Sequence, residues 1–336
     1  MSQNLRPRVA VLLSERARRM VLRESAAQRL EEHAEVSWAP ADPATWDLDA
    51  LLEGADAAVT GWFTLPISSD LLARHENLRF IAHTAGTVRG LLPLEEIGPR
   101  LRVSQATQFF APSVSEFTLM QILSGLRHLP ALDRELKGGA AFDDFDGRYP
   151  AGLIASRTAG VVGASRSGQA VIRLLRAFGA RVLVVDPTVS PEVIRELGAE
   201  PVELHEMLPQ ADIVTLHAPL LAATEGMMGA EQFALIKDGA LFVNSARGGL
   251  VDDDALYAEV SSGRISAALD VFAEEPLPLD DRWRSLENVI ISPHRAGFTV
   301  EAHLQNGDAM VDEIIRWAAD EPLSFEMPPD RVAVIA

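Results

Sequence analysis

The sequence contains no cysteine, which excludes disulfides, thiolate metal sites and cysteine nucleophiles without identifying a compartment. No apolar run approaches the roughly 18 residues needed to cross a bilayer. The N-terminal MSQNLRPRVAVLL passes directly into a strand-like segment with no small-residue cleavage site, so the expectation is a cytoplasmic protein. Positive charge is also scarce. A formal net charge of −18 at pH 7 argues against nucleic acid and anionic membranes as partners, since both favour clustered Lys and Arg. Low-complexity tracts and internal repeats are absent, and no metal site is expected.

What is present suits an enzyme of two domains. At 336 residues the chain exceeds the size at which one core keeps growing, and 48% hydrophobic residues are enough to bury two. Strand-like runs at Arg8 to Leu13, around Val36, Ala57 to Thr60, Leu78 to Ala82 and Leu101 to Ser104 alternate with helical patterns. Those patterns cover about Glu15 to His33, Leu48 to Leu52 and Ser68 to Arg74. Such alternation predicts a parallel sheet covered on both faces. Pro112 opens a long helix to about Leu129, and the Gly- and Asp-rich stretch from Lys137 to Pro150 reads as a surface loop.

The stretch from Thr158 to Asp186 organises the rest. Its order is strand, glycine turn, amphipathic helix, strand. Gly163 allows a sharp turn, Gly168 lets the helix pack on the strand, and the amides of Ser165, Arg166 and Ser167 would open the helix toward a pyrophosphate. Asp186 ends the second strand about 20 residues on, where a carboxylate can accept ribose hydroxyls. Ser165 stands where a glycine is usual, so its hydroxymethyl group either displaces the pyrophosphate or bonds to it.

Beyond Asp186 the alternation continues with strands at Ile213 to Leu216, Leu241 to Val243, Ala267 to Leu269 and Val289 to Ile291. Three strand ends carry unusual polar groups. Asn244 to Gly249 presents Arg247 between small residues, and a guanidinium fork suits a carboxylate and a neighbouring carbonyl. Asp270 to Pro276 holds paired acids. His294 follows a rigid Pro293, and a Glu bonded to an imidazole fixes its tautomer and favours imidazolium. A last amphipathic helix runs from Thr299 to Ala319.

These motifs, GVVGASRSG at 160–168, Asp186, HAPL at 217–220, VNSARGGLVD at 243–252, ALDVFAEEPLP at 268–278 and SPHRAGFT at 292–299, resemble the NAD-dependent D-2-hydroxyacid dehydrogenase family. The resemblance implies an α/β chain of two doubly wound parallel-sheet domains. A Rossmann-type NAD domain, 107–297, is inserted into a smaller flavodoxin-like substrate domain, 1–106 with 298–336. It implies that Arg247 binds and polarises a 2-keto acid, that His294 is the acid/base and that Glu275 is its partner, with Glu274 at the surface. His217, Pro219, Thr224, Ser245, Ala246, Asp270 and Gly297 would join the glycine turn in holding NAD. Gly86 and Thr87 would cradle the substrate carboxylate. Trp62 and Phe63 stand on another loop that faces the cleft in relatives.

Further expectations follow. Asp186 should select NAD(H) over NADP(H), the alternative being dual use through Arg166. Arg89 and Arg295 depart from the family pattern and would meet a second anionic group on the substrate. Alternatively Arg89 pairs with Glu95 or Glu96, and Arg295 with a carboxylate of the domain interface. By resemblance the helix from Pro112 and the loop 137–150 form a homodimer contact. A non-catalytic NADH-sensing scaffold on the same fold is the alternative function.

Overall fold

The apolar runs become strands buried on both faces. Val9 and Val11 point into one core while Ala10 and Leu12 point into another, the period of two that a covered parallel strand requires. The structure is a computed structural model and describes residues 6–329 and residue 332. Its strands in chain order are β1 (Arg8–Leu12), β2 (Glu35–Trp38), β3 (Ala57–Thr60), β4 (Phe80–His83), β5 (Arg102–Gln105), β6 (Thr158–Val162), β7 (Arg181–Val185), β8 (Glu200–Pro201), β9 (Ile213–Leu216), β10 (Leu241–Asn244), β11 (Ser266–Leu269) and β12 (Val289–Ile291). They form two all-parallel sheets, ordered β2-β1-β3-β4-β5 and β12-β11-β10-β9-β6-β7-β8. The first order is that of flavodoxin-like folds. The second extends the Rossmann order by one strand.

The chain divides into two units, Met1–Phe110 with Thr299–Ala336, and Ala111–Phe298. In each, helices cover both faces of one sheet, and each face has its own apolar core. Helices begin on side chains that accept otherwise unpaired amides. Ser190 accepts from Val193, Asp252 from Ala255 and Thr299 from Ala302.

One expected element differs. The single helix from Glu15 to His33 is two, Glu15–Val21 and Glu24–His33, with extended backbone at Leu22 and Arg23. No Gly or Pro marks this break. The helix Val300–Ala318 passes against it so closely that a Cβ on Gly307 would lie 1.7 Å from the carbonyl oxygen of Val21. Arg23 then pairs with Asp308, and Arg29 with Asp312 at 2.9 Å.

Candidate active site

In the seven-stranded sheet the strand order reverses between β6 and β9, which places a crevice at their carboxyl ends. Val162 registers with Leu216, so Gly163 and His217 come together just beyond the sheet. Gly163 adopts φ +96°, and a Cβ there would lie 2.5 Å from the amide nitrogen of Ala218. Only glycine satisfies both constraints. At Gly168 a Cβ would stand 2.1 Å from the carbonyl oxygen of Gly163. Ser165 is the N-cap of the helix Arg166–Ala177, its Oγ accepting from the Gly168 amide at 3.3 Å and lying 3.1 Å from Ser167 Oγ. The serine is therefore engaged in starting the helix.

Asp186 ends β7 and works mainly on its own surroundings. Its Oδ2 accepts from the Ala164 amide at 2.6 Å. Its Oδ1 accepts from the Thr188 amide and hydroxyl, both at 2.7 Å, and from the Val189 amide at 3.1 Å. His217 is buried, with Nε2 3.0 Å from Thr215 Oγ1 and Nδ1 enclosed without a partner. Burial pushes its pKa down to about 4. Thr224 closes the following loop, its Oγ1 accepting from the Leu221 amide and donating to the Pro219 carbonyl.

Three further strand ends bring the ionisable groups together. After β12, His294 takes φ +51°, a left-handed conformation held by its amide donating to the Asp270 carbonyl at 2.8 Å. Its Nδ1 donates to Glu275 Oε2 at 2.7 Å, which leaves Nε2 to exchange a proton. The other Glu275 oxygen accepts from the Phe272 amide at 3.0 Å. Burial alone would raise the Glu275 pKa, but the bonds from His294 and Phe272 and the charges of His294 and Arg247 together hold it below the usual carboxylate value. Arg247 follows β10. Its surface is open to solvent, yet protein atoms crowd the guanidinium enough for desolvation to lower its pKa, against the opposing charge of Glu275. A guanidinium so shifted still stays charged.

Asp270, expected toward the cofactor, is fully buried and builds the histidine loop. It accepts from Ser292 Oγ at 2.5 Å and from the amides of Arg295 and Ala296 at 2.8 and 2.7 Å. Burial raises its pKa against those bonds.

Residues 119–296, more than half of the chain, match the NAD-binding domain model of the D-isomer specific 2-hydroxyacid dehydrogenases. The chain belongs to that family. Its cofactor is accordingly NAD(H). The chain is 34% identical over 296 residues to the D-3-phosphoglycerate dehydrogenase of Methanocaldococcus jannaschii, covering 87% of the chain and 55% of the relative. It is 30% identical to the glyoxylate reductase of Korarchaeum cryptofilum, over 92% of each protein. A crystal structure of a phosphoglycerate oxidoreductase from Rhizobium etli superimposes with a TM-score of 0.77 at 32% identity, covering 96% of this chain and 99% of that one. The chain thus spans about half the length of the D-3-phosphoglycerate dehydrogenase it matches.

In the other unit, Gly86 and Thr87 lie in the loop after β4. Gln105 Nε2 donates to the Ala85 carbonyl at 3.2 Å and Asn306 Nδ2 to the Thr84 carbonyl at 3.3 Å. Space around Gly86 is open, and Arg89 is exposed, its amide donating to Thr87 Oγ1. The Trp62 ring lies tilted by 30° against His303, centroids 4.9 Å apart, with Phe110 edge-on to both rings. The Arg295 guanidinium lies 3.8 Å from the centroid of the Phe298 ring in its own loop. Asn244 and Gln121 were not anticipated as site residues. Asn244 braces the arginine turn, accepting from the Ala246 amide at 3.0 Å and donating to the Arg247 carbonyl at 2.9 Å. Gln121 could have been noticed as a lone amide within the apolar run LMQIL.

Proposed function

We propose that the protein is a 2-keto acid reductase that interconverts a 2-keto acid and the 2-hydroxy acid of D configuration with NAD(H). The observation that carries this reading is the Glu275–His294 pair with Arg247, gathered at the carboxyl edge of a Rossmann sheet beside its switch point. NAD fits the turn. The glycines at 163 and 168 permit the close backbone approach, and the amides of a twelve-residue helix face the same edge. When bound, the cofactor supplies or accepts the hydride at the substrate C2. Arg247 binds the substrate carboxylate and polarises the carbonyl, and His294 delivers its Nε2 proton to the forming alkoxide while Glu275 stabilises the imidazolium. In the first unit, the amides of Gly86 and Thr87 hold the carboxylate.

A second anionic group on the substrate, met by Arg89 and Arg295, is in keeping with relatives named for a phosphorylated substrate. The protein acts as a homodimer. Support comes from the helices Phe110–Leu126 and Leu129–Lys137 and the segment after them, which expose Met120, Leu129 and Leu136, with Phe142 82% and Leu153 65% exposed.

The test is initial-rate kinetics with NADH and NADPH against apolar, dicarboxylic and phosphorylated 2-keto acids. Turnover with NADH at higher kcat/KM than with NADPH is expected. A protein that oxidises NADH with none of the panel would end the catalytic reading, and preference for the apolar acid would end the second-anion reading. A monomer by light scattering at micromolar concentration would refute the dimer.

A further inference from the structure

Gln121 is buried on the helix Phe110–Leu126, one turn after the buried Thr118 and beside the buried Ile122. Its neighbour Ile122 packs with Leu241 and Val243, and a Cβ on Gly125, one turn on, would lie 2.8 Å from Leu241. One half of the amide is satisfied, Oε1 accepting from Ser245 Oγ at 2.7 Å. Nε2 is enclosed without a partner. Turning the amide over would only exchange which of its atoms is orphaned, because the serine hydroxyl offers a single contact. A leucine here would bury no orphaned amide but would strip the buried Ser245 hydroxyl of its acceptor, so the amide is costly in itself and engaged only through the serine.

Its one bond reaches the turn that carries Arg247. Asn244 stiffens that turn from within, and Arg247 Nη1 donates back to the Ala246 carbonyl at 2.7 Å. The turn also packs closely at Gly248, where a Cβ would stand 2.0 Å from the Phe272 carbonyl oxygen. Gln121 and Ser245 tie the opposite end of this short, stiff body to the long helix. The same helix holds the histidine loop, Ser113 Oγ donating to the Ala296 carbonyl at 2.8 Å.

We propose that Gln121 is a positioning residue which, through Ser245, fixes the direction in which β10 delivers the Arg247 guanidinium. This rests on Arg247 being the group that binds the keto acid. A stiff turn moves as a unit, so releasing one anchor displaces the guanidinium, and small displacements are costly in a near-attack geometry.

The experiment compares wild type, Gln121→Leu, Ser245→Ala and the double variant. Four quantities are measured: kcat and KM for the best 2-keto acid, the affinity of the enzyme–NADH complex for oxamate by NADH fluorescence, the NADH dissociation constant, and Tm. Gln121→Leu should lower kcat/KM about tenfold, chiefly through KM, and weaken oxamate by a similar factor, with NADH binding unchanged. Its Tm should change little, the orphaned Ser245 hydroxyl offsetting the removed amide, whereas the double variant, which removes both partners, should hold or rise by about 2–4 °C. The double variant should be no worse than the poorer single one. Retained kinetics with altered Tm alone would overturn the proposal, as would additive losses or an effect confined to NADH binding. Ser245→Ala, which removes one oxygen, reports on the same bond if Gln121→Leu does not accumulate. A wild type that neither turns over a keto acid nor binds oxamate would instead refute the reading of Arg247, and this proposal with it.

Discussion

The two sheets treat their carboxyl edges differently. At the edge of the five-stranded sheet the loop from Thr84 to Gly90 is held by neutral groups: Thr84 Oγ1 donates to the Thr60 carbonyl, Gln105 to Ala85 and Asn306 to Thr84. His83 beneath it is buried against Thr60 Oγ1 at 2.9 Å, and burial, the larger influence, pushes its pKa down to about 4 against a bond with the Thr87 backbone. At the edge of the seven-stranded sheet, Asp270, Glu275, Arg247 and His294 are held in mutual contact or mutual field. An edge held by neutral groups, with Arg89 the one charge on its loop, can bind an anion through fixed dipoles without titrating. A charged edge can move a proton, and must be braced to keep its charges apart from competing partners.

The comparison predicts that chemistry fails on one edge and binding on the other. The largest effect belongs to His294→Ala, for which kcat should fall by about 10²- to 10⁴-fold with NADH affinity retained by fluorescence titration. Near-normal turnover would remove His294 from the mechanism. Arg247→Ala should lower kcat and also raise the keto-acid KM, because in the proposed mechanism one guanidinium serves both the carboxylate and the carbonyl, with a loss of about 10²-fold in kcat/KM. A change in kcat alone would separate the two roles. Gly86→Ala on the neutral edge meets no atom within 4 Å, so the fold should tolerate it. Keto-acid KM should rise by a factor of about 3–10 at nearly constant kcat, the signature of lost uniform binding. An equal fall in kcat would mean that this edge also takes part in the transition state.

The smallest effect is on stability and tests the one property the edges share. His83 and His217 are both neutral when buried, with pKa values near 4 against 6.5 in an unfolded chain. Their contribution is whole above about pH 6.5 and is lost as the pH falls toward 4, on the order of 2 kcal/mol each. Unfolding in urea at pH 7.5 and 4.5 should show a smaller acid-induced loss in His83→Gln and His217→Gln than in wild type. Identical losses in all three proteins would show that these histidines do not carry the acid sensitivity.

The second unit was the more legible in sequence because its site is built from local turns. Gly163, Asp186, Arg247, Glu275 and His294 each sit within a few residues of a strand end, where glycine, proline and a lone charge stand out. The role proposed for the first unit's loop rests on backbone amides, which every sequence has, so Gly86 and Thr87 emerge only from the resemblance. Interactions across long sequence distances were not legible. The break at Leu22–Arg23 is imposed by a helix some 280 residues later, through Gly307 and Asp308. Ser245 and Gln121 are separated by 124 residues. The contact of Arg295 with the Phe298 ring, three residues away, is local but carries no charge pattern that a sequence displays. The two-residue strand β8 ends on a proline and has no periodicity to detect.

The four donors on Asp186 have a consequence for redesign. A carboxylate that anchors Ala164 of the glycine turn and three groups of the following loop is a joint between two segments, beside the ribose contact expected of it. Removing it to admit a 2'-phosphate would loosen the cradle for either cofactor. A change of coenzyme is therefore better sought at Arg166 or on the solvent side of Thr188, with the joint left intact, and a variant library built on position 186 would mostly sample poorly formed turns.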